Sequence, residues 1–383
     1  MLSIFDWKPF DLIVFGEVLL NYLHFLQLIK SFVEEFQNET TIVANGDVNQ
    51  LEPINLGLNN IENKSAYRMK SIKQIFPNIV ELKEIKRLKS QSQKLKMKRI
   101  KKDIFKGVPI KDICETHGIK TISKMEDVET KRNIAYFNFR CKQVNSLIHK
   151  KNGKGYSEVD GVCIWKGLTL QCRKYYKNKD GFKTVVNNLY TIDTIGKFIK
   201  VVDIANPENI FNMSRDMLWK VFSLAYCNTC HSEQGCSIDE EITIFDMNTP
   251  YVDKYWIYTA ITRARDLNNI TIYIHSKEEI RKLEQSKIKQ YINMKIEGYK
   301  DQDREAGREI DTKEYVDYKW YENEIFTNDC CYHCSGGFEL GLDGSNNVFS
   351  NITFDRIDNS ICHSKGNLVL SCLDCNRKKL QIL

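Results

Sequence analysis

The sequence predicts an α/β fold built on parallel strands, followed by a small domain held together by a metal ion. Apolar runs at 11–15 and 41–44 flank an apolar-periodic segment that ends near residue 35. This strand–helix–strand order is typical of a parallel sheet. Residues 316–383 are enriched in Gly, Asn, Asp and Cys and carry two C-x-x-C pairs, which are typical of a metal-stapled fold.

The chain of 383 residues is long enough for two or three domains. We expect a first α/β domain at 1–125 and a second at 126–280, with strands near 133–137, 242–245 and 270–274. A stretch at about 155–200 is rich in Val, Ile, Thr, Tyr and Gly, and predicts an inserted β subdomain. The charge-dense segment 281–315 predicts a linker after a helix, and 316–383 the small terminal domain.

The composition and the N-terminal region argue against a secreted or membrane protein. The apolar segment 11–31 is interrupted by Gly16, Glu17, Asn21, His24 and Gln27, which does not suit a membrane span or a secretory signal. We therefore expect an intracellular, reducing compartment and no membrane partner. There, thirteen cysteines act as thiols and metal ligands rather than disulfides.

One segment concentrates the positive charge of the chain. Residues 83–106 carry eleven Lys and Arg against two acidic residues, a net charge of +9 in a chain whose total is +6. Such a segment suits a nucleic-acid backbone, and Arg87, Lys98 and Arg99 are candidate contacts. A solvated basic helix without a ligand would show the same pattern, so both interpretations stay open.

Three motifs in the first 280 residues occur in the order of a known enzyme class. Gly46-Asp47-Val-Asn-Gln50-Leu51-Glu-Pro53 follows the second strand, Thr-Cys-His-Ser-Glu-Gln-Gly occupies 229–235, and Tyr-Thr-Ala-Ile-Thr-Arg-Ala-Arg occupies 258–265. Together they resemble superfamily-one DNA helicases of the RecD/UvrD kind. The resemblance implies a RecA-like helicase core, with a truncated first domain and a complete second one. A plain strand-to-turn exit would also explain the first motif, and an unrelated α/β fold would leave all three to coincidence.

The resemblance implies roles for individual residues. Gln50 matches the glutamine that senses the terminal phosphate, and Arg263 matches the arginine finger that stabilises charge on a transferring phosphoryl group. Glu17 matches the glutamate that orients the attacking water. The motif between DNA and nucleotide is matched by Thr229, His231, Gln234 and Gly235.

The nucleotide pocket that this class needs is incomplete. No G-x-x-x-x-G-K-[ST] string occurs in the chain, and Gly16 stands where the family has its magnesium-binding aspartate. We therefore expect no ATP hydrolysis by the chain alone, and ATP as a cofactor only if a separate polypeptide supplies the P-loop domain. DNA, single-stranded DNA included, is the expected partner.

The terminal domain carries a predicted zinc site. Cys331 and Cys334 form one C-x-x-C pair, Cys372 and Cys375 another, and 37 residues separate the pairs. Four thiolates at this spacing suit tetrahedral zinc in a fold too small to be stable alone. Two unrelated cysteine pairs are the alternative. Possible substitute ligands are Cys330, His333, Cys362 and His363.

Residues around the second cysteine pair resemble the HNH/endonuclease VII class of zinc-stapled ββα (treble-clef) nucleases. The matching segments are Thr-Phe-Asp-Arg-Ile-Asp-Asn at 353–359, Gly-Asn-Leu at 366–368 and Asn376. The resemblance implies Asp355 and Asn376 as ligands of Mg²⁺ or Mn²⁺, and Asn367 as the residue that positions the base. Arg377 and Lys378 favour nucleic-acid contact.

Arg356 stands where the nuclease class has its histidine base. An arginine stays protonated and cannot accept a proton from water. Either Asp358 or His363 takes this role, or the domain binds DNA without cutting it. The segment 295–320 resembles the approach to similar modules of large DNA viruses, which predicts a viral source and a location in the host cytoplasm or a viral factory.

The sequence favours a nucleic-acid-processing protein that joins a helicase-like region without a P-loop to an HNH-like zinc domain. Three hypotheses follow. The chain is a helicase fragment completed by another polypeptide, a metal-dependent endonuclease that uses the helicase remnant to bind DNA, or a DNA-binding protein without catalysis.

Overall fold

The computed structural model describes residues 11–17, 23–36, 40–51, 64–82, 84–153, 157–177, 181, 183–328, 330–338 and 352–379. Pro53 and Lys83, which belong to the first helicase-like motif and to the basic segment, lie outside these residues. The chain divides into an N-terminal unit, 1–248 with 254–274, and a C-terminal unit, 249–253 with 275–383. No helix among the described residues is long and apolar enough to cross a membrane.

The N-terminal unit begins with the predicted strand–helix–strand order. Strand β1 (Leu12–Phe15) is followed by helix α1 (Leu23–Phe36), strand β2 (Thr41–Ala44) and helix α2 (Lys64–Ile75). The two strands pair in parallel, so the prediction of parallel strands is confirmed. One face of the pair packs on the two helices through residues that include Leu26, Ile29 and Ile72.

The other face of this strand pair is uncovered. Side chains alternate along a strand, and Leu12, Val14 and Val43 on the outer face are 54%, 54% and 44% exposed. Parallel sheets normally have both faces covered. Within the described part of the chain, no element covers this apolar face.

The basic segment forms helix α3 (Gln91–Phe105), which precedes helix α4 (Ile110–His117). Ser90 caps α3 by accepting a hydrogen bond from the Gln93 amide. Buried Met97, Ile100 and Ile104 define the inner face of α3. Its opposite face carries the basic side chains.

The next part of the chain leads into an antiparallel sheet. The elements are β3 (Lys120–Ile122), β4 (Arg132–Ala135), α5 (Asn138–Asn152), β5 (Ser157–Val159), β6 (Val162–Ile164), β7 (Thr169–Cys172), β8 (Leu189–Ile195), β9 (Ile199–Asp203), β10 (Ile210–Met213), α6 (Arg215–Val221) and β11 (Phe222–Leu224). Strands β10-β9-β8-β7-β11 form one sheet with antiparallel pairing. The antiparallel strands thus run on to Leu224, beyond the stretch about 155–200 that the composition indicated.

A parallel sheet completes the N-terminal unit. Its last three strands along the chain are β12 (Cys227–Thr229), β13 (Ile242–Ile244) and β14 (Ile270–Tyr273), and helix α7 (Lys254–Ile261) comes between β13 and β14. Together with β3 and β4 they form a sheet in the order β12-β4-β13-β14-β3. All four pairings are parallel. The mixed α/β class predicted from the sequence is confirmed.

The C-terminal unit is built on a long helix and a short hairpin. Helix α8 (Lys277–Glu305) is followed by α9 (Tyr318–Thr327), β15 (Ile352–Arg356), β16 (Leu368–Cys372) and α10 (Leu373–Lys379). The side chains of Ser276 and Glu279 form a capping box at the start of α8. Strands β15 and β16 pair antiparallel and lead into α10, giving the order ββα.

The structure departs from the linker expected at 281–315, because α8 continues through this segment to Glu305. Tyr291, Ile292, Ile296 and Tyr299 lie in one core with residues of α9 and β15. These apolar residues recur with helical spacing among many charged ones, so the average charge of the segment conceals a buried helix face.

We predict that Ile292→Ala destabilises the C-terminal unit by about 2–5 kcal/mol, because Ile292 is fully buried and the truncation leaves a cavity. The exposed neighbour Asn293 is the control, and Asn293→Ala should change stability by less than about 0.5 kcal/mol. The measurement is hydrogen exchange of β15 and β16 peptides in increasing urea. Equal effects of both substitutions would show that α8 is a linker that merely touches this unit.

Candidate functional sites

Glu17 and Gln50 follow neighbouring parallel strands. Glu17 comes after β1, and its amide donates to the Asn45 side chain at 2.9 Å. After β2, the Asp47 carboxylate accepts hydrogen bonds from Asn49 N at 2.9 Å and Gln50 Nε2 at 3.4 Å. Because the carboxyl ends of parallel strands meet at one sheet edge, both predicted site residues lie at the same edge.

Arg263 follows α7 and is only 1% exposed. Its guanidinium donates to the carbonyls of Thr259 and Cys236 at 3.1 and 3.2 Å. It also donates to Thr262 Oγ1 at 3.3 Å and to Gln50 Oε1 at 3.5 Å. The described acceptors are all neutral oxygens. A buried charge is normally paired with an opposite one, so this arrangement favours an anion as ligand.

Arg87 lies beside Arg263 rather than on the basic surface. Its guanidinium donates to the Thr262 carbonyl. Burial lowers the pKa of Arg87, and the positive charges of Arg263 and Arg265 lower it further. The three DNA contacts predicted within the basic segment therefore lie in two places. Lys98 and Arg99 are exposed on α3, whereas Arg87 lies beside Arg263.

The segment 229–235 is a turn after β12. Thr229 Oγ1 lies 3.0 Å from Ser232 Oγ, and the Gln234 amide donates to the His231 carbonyl at 3.3 Å. Gly235 has φ 82°, a conformation that side chains other than glycine rarely adopt. The buried Nε2 of Gln234 has no hydrogen-bond partner among the described residues.

The buried carboxylate of Glu233 stabilises this turn through hydrogen bonds. Glu233 accepts from Arg132 Nη2 and Asn228 Nδ2, both at 2.7 Å. The next residue of the chain after Gly235, Cys236, supplies a carbonyl to Arg263. The residue directly after the motif thus contacts the predicted arginine finger.

The four predicted zinc ligands form one cluster, with the sulfur atoms of Cys331, Cys334, Cys372 and Cys375 within 4.8 Å of one another. The Cys372 amide donates to Cys331 Sγ at 3.2 Å. Burial raises the pKa of the Cys331 thiol, but backbone amides of Cys372, Cys334 and His333 outweigh this and lower the pKa to about 6. The neighbouring sulfur atoms raise the pKa of Cys375 to about 12, so the cluster is not four thiolates in the absence of metal. Four cysteine sulfur atoms this close together could hold a metal ion such as zinc, which binds cysteine as thiolate.

None of the possible substitute ligands belongs to this cluster. Cys330 is exposed, and Cys362 is buried in the apolar core of the unit. The ring of His333 lies 2.8 Å from Asp355 Oδ2, and that of His363 lies 2.8 Å from Asp303 Oδ2. Both histidines therefore pair with carboxylates.

The two metal ligands that the nuclease resemblance implies, Asp355 and Asn376, line a cavity of about 390 Å³ within the C-terminal unit. Its polar lining includes Asp355 from β15 and Asn376 and Arg377 from α10, with Arg356 and Lys295 nearby. The Asn376 amide donates to the carbonyl of Phe354 at 3.3 Å and to the hydroxyl of Thr353 at 3.4 Å. Lys378, the remaining predicted contact, is exposed on α10.

Asn367, to which the resemblance gives the role of positioning the base, holds a loop of the C-terminal unit. It does not line the cavity. Its side chain accepts from the Asp358 amide at 2.8 Å and donates to the carbonyls of Asp358 and Cys362 at 2.9 and 3.2 Å. Asn367 therefore holds together the loop between β15 and β16, and this loop carries His363.

Sequence reasoning missed Asp303, a fully buried carboxylate of α8. It accepts hydrogen bonds from the Tyr315 hydroxyl at 2.8 Å and the His363 amide at 2.9 Å. The guanidinium groups of Arg308 and Arg356 lie 3.2 and 3.7 Å from its other oxygen. Burial opposes ionisation, but the hydrogen bonds outweigh it and lower the pKa of Asp303. Nothing in the charged run 301–304 marks one of its aspartates as buried.

No protein-family model and no curated protein matches this chain. Solved structures with a similar arrangement include Pif1 helicase from Candida albicans, with 13% identity over 72% of this chain and 76% of that one, at a TM-score of 0.47. Bacteroides Pif1 bound to ssDNA shows 14% identity over 70% and 72%, at 0.45. Two coordinating Pif1 helicases at forked dsDNA give 14% over 70% and 70%, at 0.46. Similarity at this level supports no statement about activity.

We predict that the purified protein contains one zinc ion, and that Cys334→Ser loses it and lowers the thermal midpoint, because the small hairpin depends on the metal. Cys330→Ser, a change to an exposed neighbouring cysteine outside the cluster, should keep both zinc and midpoint. Elemental analysis and calorimetry check this. A zinc content that is zero in the wild type, or equal in both variants, would rule out the site.

Proposed function

We propose that the chain is a nucleic-acid-processing protein, in which a helicase-like unit without a P-loop is joined to an HNH-like zinc unit. The observation that carries the helicase-like part is the buried guanidinium of Arg263, whose described partners are neutral and include Gln50. Arg87 adds a second guanidinium beside it. The guanidinium groups of Arg87 and Arg263, together with the Gln50 side chain after β2, suit the oxygens of a phosphoryl group.

ATP would be held here only in part. Gln50, Arg87 and Arg263 would contact its terminal phosphate, and the Glu17 carboxylate would orient the attacking water. The remaining phosphates need a P-loop from another polypeptide. The uncovered apolar face formed by Leu12, Val14 and Val43 supports this idea, because a further strand with its helix would cover it.

DNA would be contacted through its phosphates. Lys98 and Arg99 on the exposed face of α3 supply two cations to the backbone, and the turn 229–235 supplies small polar groups. Neither contact distinguishes one base from another. Binding without strong sequence preference is therefore expected.

We predict that inorganic tripolyphosphate stabilises the N-terminal unit through Arg263. At about ten times the dissociation constant the gain is about 1.4 kcal/mol. Arg263→Gln should abolish it, because the buried positive charge is lost. Arg265→Gln should retain it, because this more exposed arginine pairs with Asp239.

The measurement for this prediction is the thermal midpoint with and without tripolyphosphate. Arg263→Lys keeps the charge and provides a folded comparison if the glutamine variant is unstable. Equal stabilisation of the wild type and Arg263→Gln would contradict a phosphate site at this arginine.

A second candidate function is metal-dependent cleavage of DNA by the C-terminal unit. The observation that favours it is the cavity that brings Asp355 and Asn376 together with Arg356, Arg377 and Lys295. The side-chain nitrogen of Asn376 donates hydrogen bonds to Thr353 and Phe354 of β15. The side-chain oxygen of Asn376 is therefore the atom that could bind a cation. Mg²⁺ commonly takes one or two protein oxygens and completes its shell with water and phosphate, so this small donor set fits.

Each part of the cavity then has a chemical task. A bound Mg²⁺ or Mn²⁺ would neutralise charge on the phosphoryl oxygen. The cations of Arg377 and Lys295 would hold the flanking phosphates. The cysteine cluster would fix β16 and α10, which position Asn376.

We predict that the protein nicks supercoiled plasmid in Mg²⁺ or Mn²⁺, and that Asp355→Asn lowers the rate more than about a hundredfold, because even outer-shell changes at metal sites cost 10–100-fold. Asp358→Asn is the matched control. Its carboxylate bonds to Ser360 and does not line the cavity, so cutting should persist.

Absence of cutting by a folded, zinc-containing wild type would contradict the nuclease proposal. If that protein still bound DNA with steep salt dependence, the chain would be a DNA-binding protein without catalysis. The viral source and the reducing intracellular location stay predictions from the sequence.

A further inference from the structure

His363 lies at the cavity and has a fixed orientation. It is 3% exposed and lines the same cavity as Asp355 and Asn376. Its Nδ1 lies 2.8 Å from Asp303 Oδ2, and its own backbone amide donates to that oxygen at 2.9 Å. The ring of Tyr299 stacks on the imidazole at 4.3 Å between centroids, with 10° between planes. Backbone and ring are thus held by one carboxylate and one aromatic face.

This arrangement fixes the tautomer of the imidazole. An ionised carboxylate accepts hydrogen bonds only, so Nδ1 carries the proton that it donates to Asp303. Nε2 is then the unprotonated nitrogen, and it is the ring nitrogen that Asp303 does not engage. A neutral imidazole in this tautomer is a proton acceptor.

We infer that His363, positioned by Asp303, is the general base of the C-terminal cavity, the role that Arg356 cannot perform. This inference rests on the nuclease function proposed above. The base would lie within the β15–β16 loop rather than on strand β15, and Asn367 would act indirectly by holding that loop together.

The charges around His363 favour its neutral form. Burial lowers the pKa of His363, Asp303 raises it, and the positive charges of Arg356 and Arg308 lower it again. The ring is therefore ready to accept a proton at neutral pH. The titratable or charged groups that contact this histidine or its partner Asp303, or that share the cavity, are Lys295, Tyr299, Asp303, Arg308, Tyr315, Asp355, Arg356 and Arg377.

The other candidate bases have different surroundings. Asp358 accepts from the amide and hydroxyl of Ser360 at 2.8 and 2.6 Å and does not line the cavity. His333 lies against Asp355, but outside the cavity lining. The Arg356 guanidinium donates to the Asn359 carbonyl at 3.1 Å and lies 3.7 Å from Asp303. At the position of the usual base, this chain has a cation that helps compensate the carboxylate behind His363.

The proposed step is hydrolysis of a phosphodiester by water. Nε2 of His363 accepts a proton as the water oxygen bonds to phosphorus, and the bond from phosphorus to the leaving sugar oxygen breaks. That oxygen takes a proton from solvent water. The imidazolium, stabilised by Asp303, then returns its proton to solvent, so no further reactant is needed.

The test compares plasmid nicking in Mn²⁺ by the wild type, His363→Gln and His363→Ala. We expect a rate loss of about 10²–10⁴-fold in both variants, typical of a lost general base. DNA affinity, zinc content and Mn²⁺ affinity measured by electron paramagnetic resonance should stay unchanged. Added imidazoles should restore cutting by His363→Ala, at rates that rise with the pKa of the additive. A structural role for His363 would not produce this rescue.

A second measurement needs no variant. The cutting rate of the wild type should fall as pH decreases through a pKa below about 6.5, the ordinary value for histidine. A rate that is independent of pH over the whole acidic range in which the protein stays folded would overturn the inference. So would full activity of His363→Gln, or loss in His333→Gln with full activity in His363→Gln. No cutting by a wild type that binds Mn²⁺ would instead overturn the nuclease proposal itself.

Discussion

The C-terminal unit depends on one buried carboxylate. Asp303 is fully removed from solvent, and an ionised carboxylate in that position is tolerated only if its charge is compensated. Tyr315, His363 and two arginines provide this compensation from three separate parts of the chain. The same interactions tie α8 to the β15–β16 hairpin, so the helix and the ββα element form one core. The orientation of His363 in the cavity follows from this requirement.

The N-terminal unit presents the opposite electrostatic situation. Arg263 is as deeply buried as Asp303, yet the acceptors described for it are neutral carbonyl, hydroxyl and amide oxygens. Arg87 lies close enough for the positive charge of Arg263 to add to the effect of burial and lower the pKa of Arg87. A compensated buried charge is a feature of the fold, whereas an uncompensated one favours a ligand of opposite charge. This contrast is the physical basis for proposing a phosphate at Arg263 and a positioning role for Asp303.

Patterns within short stretches of sequence were sufficient to predict several features. Short apolar runs give β1 and β2, and the spacing of Cys331, Cys334, Cys372 and Cys375 gives the metal cluster, because both are local properties of the sequence. The contact between Gln50 and Arg263 was implied only by the helicase resemblance, since 213 residues separate them.

Other features depend on packing that no local pattern encodes. The pair Asp303 and His363 spans 60 residues, and neither belongs to a motif. Arg87 has the same residue type as its exposed neighbours, so only the fold separates it from Lys98 and Arg99. In α8 the average charge hides the buried face that carries Ile292 and Tyr299. In each case a long-range contact decides which of several similar residues is buried.

We propose that the C-terminal unit holds two metal sites of different chemistry, a closed thiolate site and an open oxygen site. Anomalous diffraction from crystals of the full chain grown with Mn²⁺ tests this most directly, because zinc and manganese are distinguished by their absorption edges. We predict a zinc peak among the four cysteines and a manganese peak in the cavity, bound by Asp355 and Asn376. A cavity without manganese, with the zinc site filled and the fold intact, would contradict it.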